Sequence, residues 1–143
     1  DDEENNLLSF KATFRMKYNI LTAISAEEAM KILEAKPIDI IFTDQRMPNV
    51  TGIEFLEKVL DKFPEPMRIL LTGYADMNAV IDAVNKGKIF HYLSKPWNED
   101  EVNITIDRAY EVFLKKQEIK VMNEKLAVSN DQLEFLLRQK LLS

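Results

Sequence analysis

The stretch Ile38–Asp44, with the sequence IDIIFTD, decides the fold class of this chain. Its near-continuous run of isoleucine and phenylalanine is typical of a strand that is covered on both faces of a sheet. The runs Met67–Leu71 (MRILL) and Ile89–Leu93 (IFHYL) repeat the pattern, and polar residues follow each of them directly. The sequence therefore predicts three buried strands, which end at Thr43–Asp44, Thr72–Gly73 and Ser94–Lys95–Pro96.

Helical patterns alternate with these strands along the chain. Ser25, with Glu28 three residues later, forms a capping box and predicts the start of a helix that Pro37 ends. Gly87 is a suitable left-handed C-cap for another helix. Helices are predicted over residues 5–17, 25–36, 53–63 and 75–86, and a further short strand over Ile20–Ile24. Strands that alternate with helices of this length predict an α/β fold with a doubly wound parallel sheet.

The last third of the chain has a different character. No glycine or proline occurs between Pro96 and Ser143, so a continuous helix of about 44 residues, roughly 65 Å long, is predicted from Asn98. Apolar residues recur along it every seven residues, and two more lie at intervening fourth positions: Val112, Ile119, Leu126 and Leu133, then Met122 and Leu136. Lys115 and Ser129 interrupt this seam. The pattern predicts a coiled coil, and self-association is favoured over a helix lying on its own domain.

Composition excludes several classes of function. The 143 residues carry a formal net charge of −5, which argues against nucleic-acid binding by this segment, because no basic excess can displace counterions from phosphates. The chain has no cysteine and one histidine, so thiolate catalysis, sulfur-based zinc sites and histidine metal clusters are excluded. No apolar run approaches a membrane span, and no signal-peptide pattern opens the chain. A soluble cytoplasmic protein is expected.

Chemically active side chains follow the predicted strands. In open parallel sheets, ligands bind beyond the carboxyl ends of the strands, where Asp44, Thr72 and Lys95 stand. The chain also begins with four acidic residues, Asp1–Glu4. Clustered carboxylates suit a hard divalent cation such as Mg²⁺. A carboxylate beside such a cation can attack a phosphoryl group, while the cation and a lysine offset the charge on its oxygens.

These residues resemble the receiver domains of two-component response regulators. The matching motifs are the acidic pair Asp1–Asp2, TDQRMPNVTG around Asp44, ILLTG ending at Thr72–Gly73, and HYLSKPW with Tyr92 and Lys95–Pro96. The resemblance covers about residues 1–115 and implies a flavodoxin-like receiver fold. Residues 116–143 would then be a coiled-coil linker helix to an output domain that is absent from this chain. The run from Thr72 to Trp97 is most similar to receivers that precede enzymatic output domains.

The resemblance implies a role for each matching residue. Asp44 would accept a phosphoryl group from a sensor histidine kinase, Thr72 and Lys95 would bind its oxygens, and Thr72 and Tyr92 would form the switch. Mg²⁺ would be the cofactor, with these ligands: Asp2, Asp44, the backbone carbonyl of Arg46, and Asp1 through water. Arg46 and Tyr74 stand two residues after the phosphoacceptor and the switch hydroxyl. Both are large, so they are expected to obstruct water and slow dephosphorylation.

The chain departs from the family pattern at two places. The first strand of the family, expected before Asp1, is absent from this chain, and we expect omission or truncation as the reason. A doubly wound sheet without its middle strand should leave apolar helix faces exposed. Gly73 stands where the family usually has alanine, and little consequence is expected.

Two other functions compete with phosphorylation-dependent signalling. A phosphohydrolase of the haloacid dehalogenase type also uses an aspartate nucleophile, a threonine, a lysine and Mg²⁺. Such an enzyme needs a second aspartate two residues after the nucleophile to protonate the leaving group, and this chain has Arg46 there. The other alternative is a receiver-like scaffold that dimerises through its coiled coil without being phosphorylated.

Overall fold

The computed structural model describes residues 4–47, 49–73 and 77–142. The chain divides into two units, residues 1–110 and residues 111–143. The elements in chain order are α1 (Glu4–Phe14), α2 (Ala26–Ala35), β1 (Ile40–Asp44), α3 (Gly52–Lys62), β2 (Met67–Thr72), α4 (Met77–Asn85), β3 (His91–Ser94) and α5 (Glu99–Leu142). The three strands predicted from the apolar runs are therefore present, each with helices before and after it.

The strands form a parallel sheet in the order β1-β2-β3. Ile40 pairs with Met67 at the start of β1, and Asp44 pairs with Leu71 at its end. Thr72, the last residue of β2, pairs with Ser94 of β3. All six residues of β2 are buried, as expected for a strand with a neighbour on each side and helices over both faces.

Apolar side chains fill both faces of this sheet. One core cluster joins residues of α2, α3, α4 and β2 with Ile89, which precedes β3. Its members are Leu33, Phe55, Leu56, Val59, Leu70, Val80, Ala83 and Ile89. The other joins α1, α5 and the strands: Phe14, Leu71, Leu93, Val102 and Ile106. Leu70 and Leu71 are neighbours in β2 but belong to different clusters, because successive side chains of a strand point to opposite faces. Two filled faces confirm the doubly wound parallel α/β fold.

The predicted helix ends depend on specific caps. The Ser25 hydroxyl accepts a hydrogen bond from the Glu28 amide at 3.2 Å, and Thr51 caps α3 by accepting from the Glu54 amide at 3.1 Å. Gly87 follows α4 with a φ of 72°, a left-handed conformation that favours glycine. These residues fix where α2 and α3 begin and where the chain turns from α4 towards β3.

The strand predicted over Ile20–Ile24 is wrong, because these residues form no strand. A strand requires a pairing partner for its backbone, and β1 in the described part of the chain pairs only with β2. Instead, the segment lines a cavity of about 1040 Å³ together with Phe10, Ile40 and Phe42. Leu21 and Ile24 remain 42% and 47% exposed. Within the described residues, the outer edge of β1 therefore has no paired strand, and Ile40, Ile41 and Phe42 are only half-buried.

The helix predicted from Asn98 is present as α5, which runs for 44 residues. Its first residues are held by Asn98, whose side-chain oxygen accepts from the Asp100 amide at 2.8 Å. Val102 and Ala109 are fully buried in the first unit, whereas every side chain from 118 to 137 is exposed. In the described residues, no helix is long and apolar enough to cross a membrane.

Candidate functional site

The site lies at the carboxyl edge of the sheet, where the three strands end side by side. Asp44 ends β1, Thr72 ends β2, and Lys95 follows the last residue of β3. The Lys95 amide donates to the Thr72 carbonyl at 2.9 Å, so the residue after β3 is still held against the end of β2. Parallel strands with this register bring a carboxylate, a hydroxyl and an ammonium group to one edge.

Asp44 is the central acid of the site. Its side chain is only 10% exposed, while that of Lys95 is 36% exposed. The Lys95 Nζ donates to the Asp44 Oδ2 and forms an ion pair with it. The other oxygen, Oδ1, accepts from the Arg46 amide at 3.4 Å. Both oxygens of a mostly buried carboxylate thus have a donor, which is the condition for keeping such a charge at low exposure.

Hydrogen bonds of Gln45, the first residue of the loop after β1, fix the backbone position next to Asp44. Gln45 donates its amide to the Leu71 carbonyl at 3.0 Å and accepts from the Gly52 amide at 2.9 Å through its own carbonyl. Its side-chain oxygen accepts from the Ile53 amide at 3.0 Å. A Cβ on Gly52 would stand 2.2 Å from the Asp44 carbonyl oxygen. Sequence reasoning did not assign Gln45 or Gly52, although a glycine directly after the N-cap Thr51 is a signal of close backbone approach.

Thr72 and Tyr92 lie on the neighbouring strands β2 and β3. Thr72 is completely buried, and its hydroxyl donates to the carbonyl of Gly73 at 3.0 Å. Tyr92 is half-buried and packs against the cluster formed by α2, α3, α4 and β2. The ring of His91 is 5.7 Å from that of Tyr92. Partial desolvation lowers the pKa of His91, and the positive charge of Arg108 lowers it further.

The structure brings together some of the predicted site residues and does not describe others. Asp44, Thr72 and Lys95 share one edge of the sheet, and Tyr92 pairs with Leu70, two residues before Thr72. Arg46 is exposed and follows Asp44 in the loop. The predicted residues Asp1, Asp2 and Tyr74 lie outside the described residues.

Oxygen ligands for a divalent cation are present at this edge. Asp44 supplies a carboxylate and Arg46 a main-chain carbonyl two residues later, which is the donor chemistry that Mg²⁺ prefers. Among the residues that the structure describes, no group of three or more acidic or histidine side chains could hold a metal ion. The remaining carboxylates of the predicted ligand set, Asp1 and Asp2, lie outside those residues. The Asp44 carboxylate and the Arg46 carbonyl therefore fit Mg²⁺ as part of a ligand set, and water molecules would complete the coordination.

Comparison with known proteins identifies the family. Residues 1–107 match the family described as "Response regulator receiver domain". The hydrogenase transcriptional regulatory protein HoxA of Cupriavidus necator is 39% identical over 111 residues, which are 78% of this chain and 23% of that protein. This chain spans about a quarter of the length of the curated relatives it matches.

Two solved structures have the same fold. The receiver domain protein from Clostridium thermocellum has a TM-score of 0.74 and is 30% identical, with 83% of this chain and 94% of that one covered. The receiver domain of an HD domain-containing protein from Pseudomonas fluorescens Pf-5 has a TM-score of 0.76 at 28% identity, covering 82% and 88%. The fold and the site together define a regulatory α/β domain. The chain belongs to the receiver domain family of response regulators, which act in two-component signal transduction.

Proposed function

We propose that this chain is a phosphorylation-controlled switch in which Asp44 accepts a phosphoryl group from a sensor histidine kinase. One observation carries the proposal: a mostly buried carboxylate at the end of β1 is paired with Lys95 beyond β3. In the proposed transfer, an Asp44 oxygen forms a bond to phosphorus as the phosphorus–nitrogen bond of the kinase phosphohistidine breaks. The imidazole leaves with the electron pair of that bond. Lys95 then offsets charge on the phosphoryl oxygens.

Mg²⁺ is part of this proposal because receiver domains generally bind it at the phosphorylation site. Asp44 and the Arg46 carbonyl would hold it, together with Asp2 directly and Asp1 through water. When bound, Mg²⁺ supplies positive charge to the phosphoryl oxygens as the reaction proceeds. Three carboxylates at one site repel one another, so the cation also stabilises the fold around them.

The proposed switch begins at Thr72. Its hydroxyl now donates to the Gly73 carbonyl, and it must leave that partner to donate to a phosphoryl oxygen on Asp44. Thr72 is completely buried, and it lies on the strand next to Tyr92, which pairs with Leu70 two residues earlier. We propose that Tyr92 turns further inward and that the face around residues 76–110 changes with it. The long helix α5 would carry the change to the output domain.

A dimer completes the proposed function. The exposed apolar residues of α5 would pair two copies, with residues 1–115 as receiver and residues 116–143 as linker. We place no catalytic activity in this chain, because Arg46 occupies the position at which a phosphohydrolase needs its general acid. The similar proteins named above include both a transcriptional regulator and an HD domain-containing protein, so receivers similar to this chain occur with output domains of more than one kind.

Phosphorylation with acetyl phosphate and Mg²⁺ tests the assignment. Intact-mass measurement should show a single phosphoryl adduct on the wild-type chain and none on Asp44→Asn. Asp39→Asn is the matched control, since Asp39 is an exposed acid just before β1. Undiminished uptake by Asp44→Asn, with the adduct mapped elsewhere, would contradict the proposal. Absence of uptake in every variant would favour the scaffold, and turnover of a phosphomonoester would favour the phosphohydrolase.

A further inference from the structure

The apolar residues that recur every seven positions along α5, the heptad stripe, could form the contact between two helices in two different ways. Four residues, Val112, Ile119, Leu126 and Leu133, recur at a strict spacing of seven. A coiled-coil seam needs a second set of residues, either three or four positions further on. Three positions on, the set is Lys115, Met122, Ser129 and Leu136. Four positions on, it is Lys116, Asn123, Asn130 and Leu137.

The second set accounts for the presence of two asparagines, Asn123 and Asn130, in the helix, whereas the first set does not. Asparagine has a low helix propensity, and Asn123 and Asn130 stand seven residues apart in the middle of a long exposed helix. In the second set they occupy consecutive a positions of the heptad, while the stripe occupies the d positions. Asparagine at an a position specifies register and oligomeric state at a cost in stability. Met122 and Leu136 then flank the seam and widen it.

We infer that two copies of this chain pair through α5 in parallel and in register, with Asn123 and Asn130 each facing its own counterpart. This inference rests on the proposed dimer and adds its geometry. A side-chain amide has both donors and an acceptor, so two identical asparagines across a two-fold axis satisfy each other. In an antiparallel pair, a positions face d positions, and each amide would meet leucine or isoleucine without a partner. Such burial of an unpaired amide is costly.

A second copy fits this surface better than the receiver unit of the same chain does. A strict seven-residue repeat drifts around a straight helix of 3.6 residues per turn, and it stays on one face only when helices supercoil around each other. Every side chain from 118 to 137 is exposed, including Ile119 at 60% and Leu126 at 55%. Another apolar stripe, represented by Val128, lies about 200° around the helix from Leu126. It cannot share a seam with Leu126, so it supplies a control surface.

The absence of cysteine makes the geometry directly testable in the full chain. Single cysteines would be introduced by Asn130→Cys, Leu133→Cys, Ser129→Cys and Val128→Cys, and each protein would be oxidised mildly. A disulfide needs Cβ atoms about 3.5–4.5 Å apart. We expect rapid dimer-linking through residues 130 and 133, slower linking through 129, and none through 128. Faster linking at 129 than at 130 would overturn the assigned seam, and linking at 128 would move the contact to the other stripe.

The relative direction of the two α5 helices in the dimer is tested with a mixture of two variants. Val112→Cys and Asn130→Cys, at a d and an a position, are combined and oxidised. Each should form disulfides with its own kind and no mixed disulfide, because these positions lie about 27 Å apart in a parallel pair. A mixed disulfide in a dimeric sample would overturn the parallel arrangement while leaving the dimer intact. A monomer by light scattering at high micromolar concentration would instead overturn the dimer itself, so the two failures are distinguishable.

The role of the two amides is tested by removing them. The double variant Asn123→Leu, Asn130→Leu should associate about tenfold or more tightly, because two buried polar layers become apolar. It should also lose the strict two-chain state, which sedimentation would record as a mixture of sizes. Gln132→Leu is the matched control on the outer face and should change neither property. Weaker association of the double variant would overturn the inference.

Discussion

The substitution Gly52→Ala tests whether local helix propensity or close packing at the site determines the stability of the protein at this position. Gly52 is the first residue of α3, where alanine is a better helix former by up to about 1 kcal/mol. Propensity alone therefore predicts that Gly52→Ala stabilises the protein. The structure predicts the opposite sign, because the added Cβ would lie 2.2 Å from the Asp44 carbonyl oxygen and 2.7 Å from Leu70 Cδ1.

The size of the loss follows from which atoms must move. Overpacking a well-packed site costs about 1–3 kcal/mol. The nearest atom here is backbone oxygen at the end of β1, which is fixed by strand pairing, so the upper end of that range applies. A loss of about 3 kcal/mol lowers the melting midpoint of a unit this size by about 10 °C. Since the displaced atom belongs to Asp44, uptake from acetyl phosphate should slow as well.

Thermal unfolding followed by circular dichroism measures the effect, with Gly73→Ala as the matched control. A Cβ on Gly73 would meet nothing within 4 Å, so this variant should melt within about 2 °C of the wild type. If Gly52→Ala melted at or above the wild-type midpoint, close approach of α3 to Asp44 would be refuted. An equal drop in both variants would also refute it, because only Gly52 has a crowded neighbourhood.

Three further outcomes are expected. Mg²⁺ at tenfold its dissociation constant should stabilise the chain by about 1.4 kcal/mol, and an equal rise in melting midpoint for Asp44→Asn would contradict the metal site. The double variant Arg46→Asn, Tyr74→Ala should lose its phosphoryl group roughly tenfold faster than the wild type, because water reaches phosphorus more freely, and equal or slower decay would remove this role. The fold favours neutral His91, whose pKa is lowered from its ordinary 6.5. Its contribution to stability is therefore present above that pH and is lost as pH falls below it, so His91→Gln should flatten the urea-midpoint profile between about pH 7 and 5.

Elements whose signal is local could be predicted from the sequence. The strands β1, β2 and β3 were predicted because their apolar runs are continuous, and the helix starts at Ser25 and Asn98 because caps are local chemistry. The meeting of Asp44, Thr72 and Lys95 was predicted from one non-local rule, the shared edge of parallel strand ends.

Features that depend on distant neighbours could not be predicted in this way. Residues 20–24 have the composition of a strand, but composition does not supply a pairing partner. The contact of Gly52 with Asp44 depends on how α3 enters the fold. Arg68 interrupts an otherwise apolar strand, and its burial is compensated by carbonyls beyond the strand: it donates to Lys88 at 2.9 Å and to Pro66 at 3.0 Å. Side chains such as this are placed by tertiary structure.

Among the described residues, no strand pairs with the outer edge of β1, and this edge offers a second, less specific way to associate. An unpaired strand edge can template pairing with another molecule, and native proteins usually block such edges with lysine, proline or a bulge. The sequence IIFTD contains neither lysine nor proline. A chain shortened to residue 117 would therefore be monomeric when fresh but form sheet-rich aggregates on storage, faster as its concentration rises.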